Sequence, residues 1–294
     1  MNKKALSTKI IAGFLIVIVA AIFYLTFISK VKEANEREIH KRQCKNSVLL
    51  YSLTTIKGYE LRPYTIECPL LELTLTGNPE IPKQAEKMKK EIAITMAEAW
   101  DVFGRGNIDL FQESGTYCAV YALIDFKEKN KEIKDFNRYL LENNVPFENV
   151  DYVTYFTNGI AKQISGEVGE GVIDTSKKYA VVFIYQKKLS TIDEVKIFFS
   201  KLVTLGAEKN KLVGAISMGV ISAAGTGIAV ILAGGSFMLA TGGAVVVGGL
   251  ELLTSIFSGG NSDSIAMISF LPYENEETLK ELGCQYLPIS LRTR

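Results

Sequence analysis

The side chains able to do covalent or ligand chemistry in this 294-residue chain are few and scattered. Four cysteines stand at Cys44, Cys68, Cys118 and Cys284, and none belongs to a C-x-x-C pair. That spacing disfavours a zinc ribbon or a thioredoxin-like redox centre. An even count fits two disulfides in an oxidising compartment, with three connectivities open. The favoured pairing is Cys44 with Cys68, bracketing the first two strands, and Cys118 with Cys284, tying the C-terminal return to a central strand. Each bridge contributes roughly 2–4 kcal/mol by restricting the unfolded chain. The plainer alternative makes Cys118 a small buried apolar residue.

The lone histidine, His40, sits beside Lys41 and Arg42 in a charged segment. Histidine-assisted nucleophilic catalysis needs an imidazole packed against the nucleophile, so His40 reads as a solvated residue. Asp109, Glu113, Asp125, Glu167 and Glu170 offer carboxylates for acid–base work, but their spacing singles out no pair and surface charge is the plain reading. A Ser/Lys dyad near the membrane stays open. Gly166-Glu167-Val168-Gly169-Glu170-Gly171 resembles a glycine loop yet lacks the Lys-Ser/Thr ending of a phosphate cradle, and its two glutamates repel phosphate. It reads as a surface loop, and Gly104-Arg105-Gly106-Asn107 as a helix exit and turn. No cofactor and no metal site is expected.

Two apolar runs dominate the chain instead. Residues 10–29 are apolar and flanked by Lys9 and Lys30. Their length suits a transmembrane helix better than the 7–15-residue core of a cleaved signal peptide. Lys3, Lys4 and Lys9 precede the run, and Glu33, Glu36 and Glu38 follow it. The positive-inside bias therefore keeps the N-terminus in the cytoplasm and sends residue 31 onward across the membrane. Residues 212–258 carry a single charged side chain, Glu251, and are rich in glycine and alanine. They are long enough for two crossings. Ala215, Gly219, Ala223 and Gly227, then Ala240, Ala244 and Gly248, recur every fourth residue, which on helices gives smooth grooves for close packing. Glu251 would then be an intramembrane charge, and such groups default to functional hypotheses; if the helix ends near Leu250, it lies at the interface.

The intervening and following residues carry the pattern of an α+β domain. Residues 31–43 read as a helical stalk, 47–56 and 65–75 as strands, 81–103 as a helix, 117–126 as a central strand, and 131–143 as a second helix. The helix over 81–103 places Ile81, Ala85, Met88, Ile92, Met96, Trp100 and Phe103 on one face, with Gly104 as its stop. Residues 179–185 form another central strand, and Thr191 with Glu194 caps a third helix. Gly234-Gly235-Ser236 is the turn inside the apolar segment. Residues 264–271 read as a strand and 277–283 as a short helix. A tail this short cannot fold alone, so it must rejoin the upstream sheet, and the apolar segment is an insertion within the domain.

The N-terminus, Lys3-Lys4-Ala5-Leu6-Ser7-Thr8 followed by an apolar helix, resembles archaeal type IV pilin-like proteins. That resemblance implies a short basic leader cut before Leu6 and an apolar helix serving as anchor and polymerisation core. Cys68-Pro69, Trp100-Asp101-Val102-Phe103-Gly104 and Cys118 make the whole chain similar to uncharacterised membrane-anchored archaeal proteins, a resemblance that implies no activity.

These readings give a cytoplasmic N-terminus (1–9), a signal-anchor helix (10–29), a stalk (30–43), an extracytoplasmic α+β domain (44–210), a transmembrane helical hairpin (211–258) and a return to the domain (259–294). The expected function is non-enzymatic binding or assembly in the cell envelope, with the hairpin mediating helix packing. The partners are the lipid bilayer and a homo-oligomer or another envelope protein. A net charge of +1 with 22% charged residues gives no global field that points to nucleic acid, and no nucleic-acid partner is expected. A membrane-inserting fusion or pore protein, an envelope hydrolase and a pilin-like subunit are the alternatives.

Overall fold

The computed structural model describes residues 3–54, 66–108, 110–111, 114–146, 148–156, 171–187, 218–223, 228–233, 236–241, 244–248, 264–275, 277–281 and 283–286. The chain divides into two compact units, Met1–Arg42 and Gln43–Arg294.

Helix α1, Lys3–Thr54, is unbroken over 52 residues, since no proline falls between Lys3 and Thr54 and the one glycine, Gly13, lies near its start. It absorbs the expected stalk and also residues 47–54, where a strand was expected. The correction has a physical cause. Cys44 and Val48 are fully buried and Tyr51 is half-buried, at steps of four and three, so burial on a helical face overrides the β preference of a short valine- and tyrosine-containing run. The next expected strand is shorter than its apolar run: Pro69 precedes it, and only β1, Leu71–Leu75, is extended in a ladder.

Helix α2, Pro82–Val102, follows with Pro82 in its first turn and an extended Ile81 ahead of it. Ala85, Met88, Ile92, Met96, Trp100 and Phe103 are buried as their spacing predicts; Ile81, outside the helix, is 44% exposed. Gly104 takes φ 72°, the left-handed stop that glycine supplies without strain. The short 3-10 turn Gly104–Gly106 leads out of the helix. Strand β2, Gly115–Phe126, comes next, then β3, Glu132–Ile133, and α3, Phe136–Glu142. The single helix expected over 131–143 is therefore split. Ile133 pairs with Ile173 of β4, Ile173–Asp174, and Asp135 at φ 57° turns the chain into α3. Helix α4, Tyr152–Phe156, and strand β5, Tyr179–Lys187, complete this part. The third expected helix, beginning at Thr191, lies outside the described residues.

The sheet runs in the order β1, β2, β5, β10, β6, β7, β8, β9, where β6 is Met218–Ala223, β7 Ile228–Ala233, β8 Ser236–Thr241, β9 Ala244–Gly248 and β10 Ser264–Pro272. After α5, Glu277–Glu281, the chain adds β11, Gln285–Tyr286, beside β2. The β1–β2 and β11–β2 pairings are parallel and the others in this sheet antiparallel. Strand β10 fulfils the expected return: it pairs with β5 over nine residues and with β6 over six. The described strands between β5 and β10 in the chain, β6 to β9, continue the same sheet beyond β10.

One face of the central strands forms the core. Register places Tyr117, Ala119, Ala122 and Ile124 of β2 level with Tyr185, Phe183, Val181 and Tyr179 of β5, and these level with Ala266, Ile268, Phe270 and Pro272 of β10. Of these twelve, all but the partly buried Pro272 are buried. Phe103 stacks on Phe183 at 4.5 Å and Tyr179 on Phe270 at 4.7 Å, with Trp100 tilted against Phe183 at 6.1 Å. Such pairs contribute about 0.5–1.5 kcal/mol each beyond the area they remove from water. A register shift between Val120 and Ala122 accommodates buried Tyr121.

Candidate functional site

Two disulfides hold the domain at its ends, and both follow the expected pairing. Cys44 of α1 joins Cys68, just before β1, and Cys118 of β2 joins Cys284, just before β11. All four cysteines are used. The first bridge fastens the C-terminal part of α1 to the chain entering the sheet. Lys45 reinforces it with an ion pair to Asp101 of α2 at 2.9 Å. The second bridge fixes the two residues of β11, too few to hold their place by backbone bonds alone, against Tyr117 and Cys118.

The described parts of residues 212–258 are strands, not helices, and this corrects the expected helical hairpin. Gly219 and Ala223 lie on β6, Ala240 on β8, and Ala244 and Gly248 on β9. Ala215, Gly227 and Glu251 lie outside the described residues. The helical packing groove is therefore not formed at the five described positions. Valine and isoleucine fill 220–221, 230–231 and 245–247, and paired glycines stand at 234–235 and 242–243. Each glycine inside a helix costs about 0.5–1 kcal/mol relative to alanine, whereas β-branched residues favour a pleated strand. The glycine pairs instead fall where the ladder reverses: Ala233 pairs with Ser236, and Thr241 with Ala244, leaving two residues between partners. A four-residue recurrence is also compatible with a strand, because it is a multiple of the two-residue period.

The result is a four-stranded antiparallel meander attached to the core sheet through β10. Its register places Val220, Ile231, Met238 and Val247 on one face, and Ile221, Val230, Leu239 and Val246 on the other. Every residue of β6, β7, β8 and β9 is uncharged. A soluble antiparallel sheet ordinarily alternates apolar with polar residues so that one face meets water. The sequence of these four strands offers no charged residue for such a face. Its last strand, β9, pairs with β8, and no described strand pairs with its other side.

In α1, a second apolar surface is open. Leu15, Ile16, Val17, Ile18, Val19, Ile22, Phe23 and Tyr24 range from 46% exposed at Ile18 to 72% at Phe23. All ten residues from 15 to 24 are exposed, so this stretch is apolar on every side. Among the described residues no helix is long and apolar enough to cross a membrane, the described side chains of this run being those of 15–24.

The remaining candidates for chemistry are placed apart. His40 is only 9% exposed, so the expected solvated histidine is in fact buried on α1. Asp125 is held below the usual carboxylate range, chiefly by its hydrogen bond from Lys129. Asp109, Glu113, Glu167 and Glu170 lie outside the described residues. Gly171, which ends the glycine-containing loop, has φ 61°, and a Cβ there would stand 2.5 Å from Asn137 Oδ1; its role is tight packing on α3. Among the described residues no cluster of His, Cys, Asp and Glu is arranged to hold a metal ion.

Sequence reasoning missed the cluster around Arg105. This residue adopts φ 55° between two left-handed glycines, lies 4.6 Å from the Tyr155 ring centroid, and pairs with Glu148 at 3.1 Å and Asp101 at 3.6 Å. Burial pushes the Tyr155 phenol up to about 12, while the Arg105 guanidinium pulls it down. The cluster joins the end of α2 to α4, so its role is to fasten the fold. The Gly-Arg-Gly triplet was the sequence signal for the tight turn; its partners are distant in sequence.

No protein family, curated protein or solved structure matches the chain.

Proposed function

We propose that this chain is a non-enzymatic, membrane-anchored envelope protein whose extracytoplasmic domain works through its apolar meander in binding or assembly. The observation that carries the reading is the meander itself, four strands without a charge on either face. Strands without a charged residue are suited to contact with another protein or a lipid rather than to a water-facing side. Residues 10–29 supply the anchor. Support comes from the exposed apolar residues at 15–24 and the lysines on both flanks. The two disulfides suit an oxidising compartment outside the cytoplasm. The partners are then the bilayer and either a second copy or another envelope protein.

The test separates anchor from meander. With Val17→Arg and Ile18→Arg together, the full chain should leave the membrane pellet on alkaline carbonate extraction, whereas the unchanged chain should stay. With Ile231→Glu and Leu239→Glu together, one on each face, the chain should stay anchored but run as a smaller species on native gels. Retention of native size in the second variant would remove the meander from the account.

The unbroken 52-residue α1 favours a second reading, a pilin-like subunit. Its apolar first part would serve as a polymerisation core while its C-terminal part is bonded into the domain through Cys44. N-terminal sequencing of the mature protein decides between the two: cleavage before Leu6 supports the pilin-like reading, and an intact Met1 rejects it.

A further inference from the structure

The geometry points to a covalent clip that the chain makes in itself: an amide bond between the side chains of Lys131 and Asn78, formed with loss of ammonia and assisted by Glu80. Side chains from two segments distant in sequence meet at this point. Lys131 Nζ donates to Asn78 Oδ1 at 2.9 Å and to Glu80 Oε2 at 2.9 Å. The same Glu80 oxygen accepts from Asn78 Nδ2 at 3.4 Å. One carboxylate oxygen thus touches both the amine that attacks and the nitrogen that leaves. Asn78 Oδ1 also accepts from the Glu80 backbone N–H at 3.1 Å, a donor that stays in place as charge develops on that oxygen. An ordinary surface ion pair needs only an amine and a carboxylate; here an amide is held against both.

The backbone is fixed on either side of the contact. Asn78 N–H donates to Gln84 Oε1 of α2, and the Asn78 carbonyl accepts from Ile81 N–H at 3.0 Å. Lys131 N–H donates to Thr175 Oγ1 at 3.0 Å, and the Lys131 carbonyl accepts from Thr175 N–H at 2.8 Å. Holding both partners this way makes the attack an intramolecular step. The Lys131 side chain is 24% exposed, so its amine is largely withdrawn from water. The hydrogen bond from Lys131 is the chief cause that holds Glu80 below the usual carboxylate range, so Glu80 stands ionised and able to take a proton. Pro79 closes the usual competing route of an asparagine, cyclisation onto the next backbone nitrogen, because proline has no N–H. The step balances without a co-reactant. Lys131 Nζ bonds to Asn78 Cγ, a proton passes from Nζ through Glu80 Oε2 to Asn78 Nδ2, the Cγ–Nδ2 bond breaks, and ammonia departs. The clip joins the turn ahead of α2 to the chain ahead of β3, 53 residues apart, by a bond that a disulfide reductant does not open. It depends on neither the anchor nor the meander.

The experiment is mass spectrometry of the purified full chain after reduction of both disulfides and digestion. It should yield a branched peptide joining Asn78 to Lys131, lighter by one ammonia than its two arms together. Lys131→Arg should give the two arms as separate peptides. Glu80→Gln keeps a hydrogen-bonding side chain but no base. It should slow bond formation at least about 100-fold, the lower end of what a positioned acid–base group supplies, read as the joined fraction at successive times. Fluorescence of buried Trp100 shows whether each variant is folded. Separate arms from the unchanged chain overturn the inference and leave an ion pair in its place. A branch from Lys131 to any residue other than Asn78 overturns it equally, and an undiminished joined fraction in Glu80→Gln overturns the part given to Glu80.

Discussion

Replacing Cys118 with Ala and Cys284 with Ser removes the bridge that closes the longer loop in the molecule, with a sequence separation of 166 residues. Loop-closure entropy for that separation contributes about 5.2 kcal/mol at 25 °C, against about 3.4 kcal/mol for the 24-residue separation of Cys44 and Cys68. The two values come from one relation, so their difference, about 1.7 kcal/mol, is the sharper number. It reflects a plain geometric fact. The long loop contains the rest of the sheet from β2 onward, including the whole meander, whereas the short loop holds only the chain from α1 to the approach of β1. The single tryptophan reports the outcome without labelling, since Trp100 is fully buried between α2 and the sheet. Urea unfolding of the full chain in detergent, followed by Trp100 fluorescence, should show Cys118→Ala/Cys284→Ser losing more stability than Cys44→Ala/Cys68→Ser. The reverse order would refute the reasoning. It would mean that β10, paired with β5 over nine residues, already tethers the C-terminal part in the unfolded ensemble, or that α1 depends on Cys44 for its place.

Other outcomes follow from single positions. Gly106→Ala meets both a left-handed φ of 71° and a new Cβ 2.7 Å from that of Ala266, so thermal unfolding should show a loss of at least about 1–2 kcal/mol. Trp100→Ala empties a fully buried site against Phe183 and should cost about 3–5 kcal/mol in denaturant unfolding. Burial raises the Tyr155 phenol to about 12, above its unfolded value near 10, so its contribution to stability is fully present below pH 10 and is lost as pH rises toward 12. Burial moves Tyr152 and Tyr179 the same way. Alkaline titration by phenolate absorbance should show late-titrating tyrosines, and Arg105→Ala should move Tyr155 still higher, since it removes the cation that lowers it; an unchanged or lower value would break that assignment. Asp125 runs the opposite way: its folded pKa is lowered, so its contribution is present above about pH 4 and lost as pH falls through the folded value. Lys129→Met should raise the Asp125 pKa in a carboxylate NMR titration.

The sequence was legible where one physical signal acted alone. The period of α2 from Ala85 to Phe103, the doubly apolar runs of β2 and β5, and the return of β10 all follow from burial patterns. The disulfide pairing followed from placing Cys118 on a central strand and Cys284 after the return. Reading failed where two signals competed. Residues 47–54 contain residues suited to a strand, yet they continue a helix that nothing upstream stops. Residues 131–143 contain Ile133, Phe136 and Leu140 at helical spacing, all buried, but through a strand, a turn and a short helix. The meander misled for a related reason. Length and apolarity match two membrane helices, while the glycine pairs at 234–235 and 242–243, spaced eight residues apart, are the turn signal of short strands. Apolarity reports that a segment avoids water; only the turn spacing reports its backbone. The Arg105 cluster was not legible, because Arg105, Glu148 and Tyr155 are brought together by tertiary contact.

A domain outside the cytoplasm, held by α1 and carrying an apolar meander that faces a partner there, is the central claim. Protease added to intact cells tests it most directly, with a tag ahead of Met1 and an antibody against the folded domain. The tag should survive while the domain, residues 43–294, is digested from outside. A domain that resists protease until the membrane is opened, but is then digested, would contradict the account and place the meander and both disulfides in the cytoplasm.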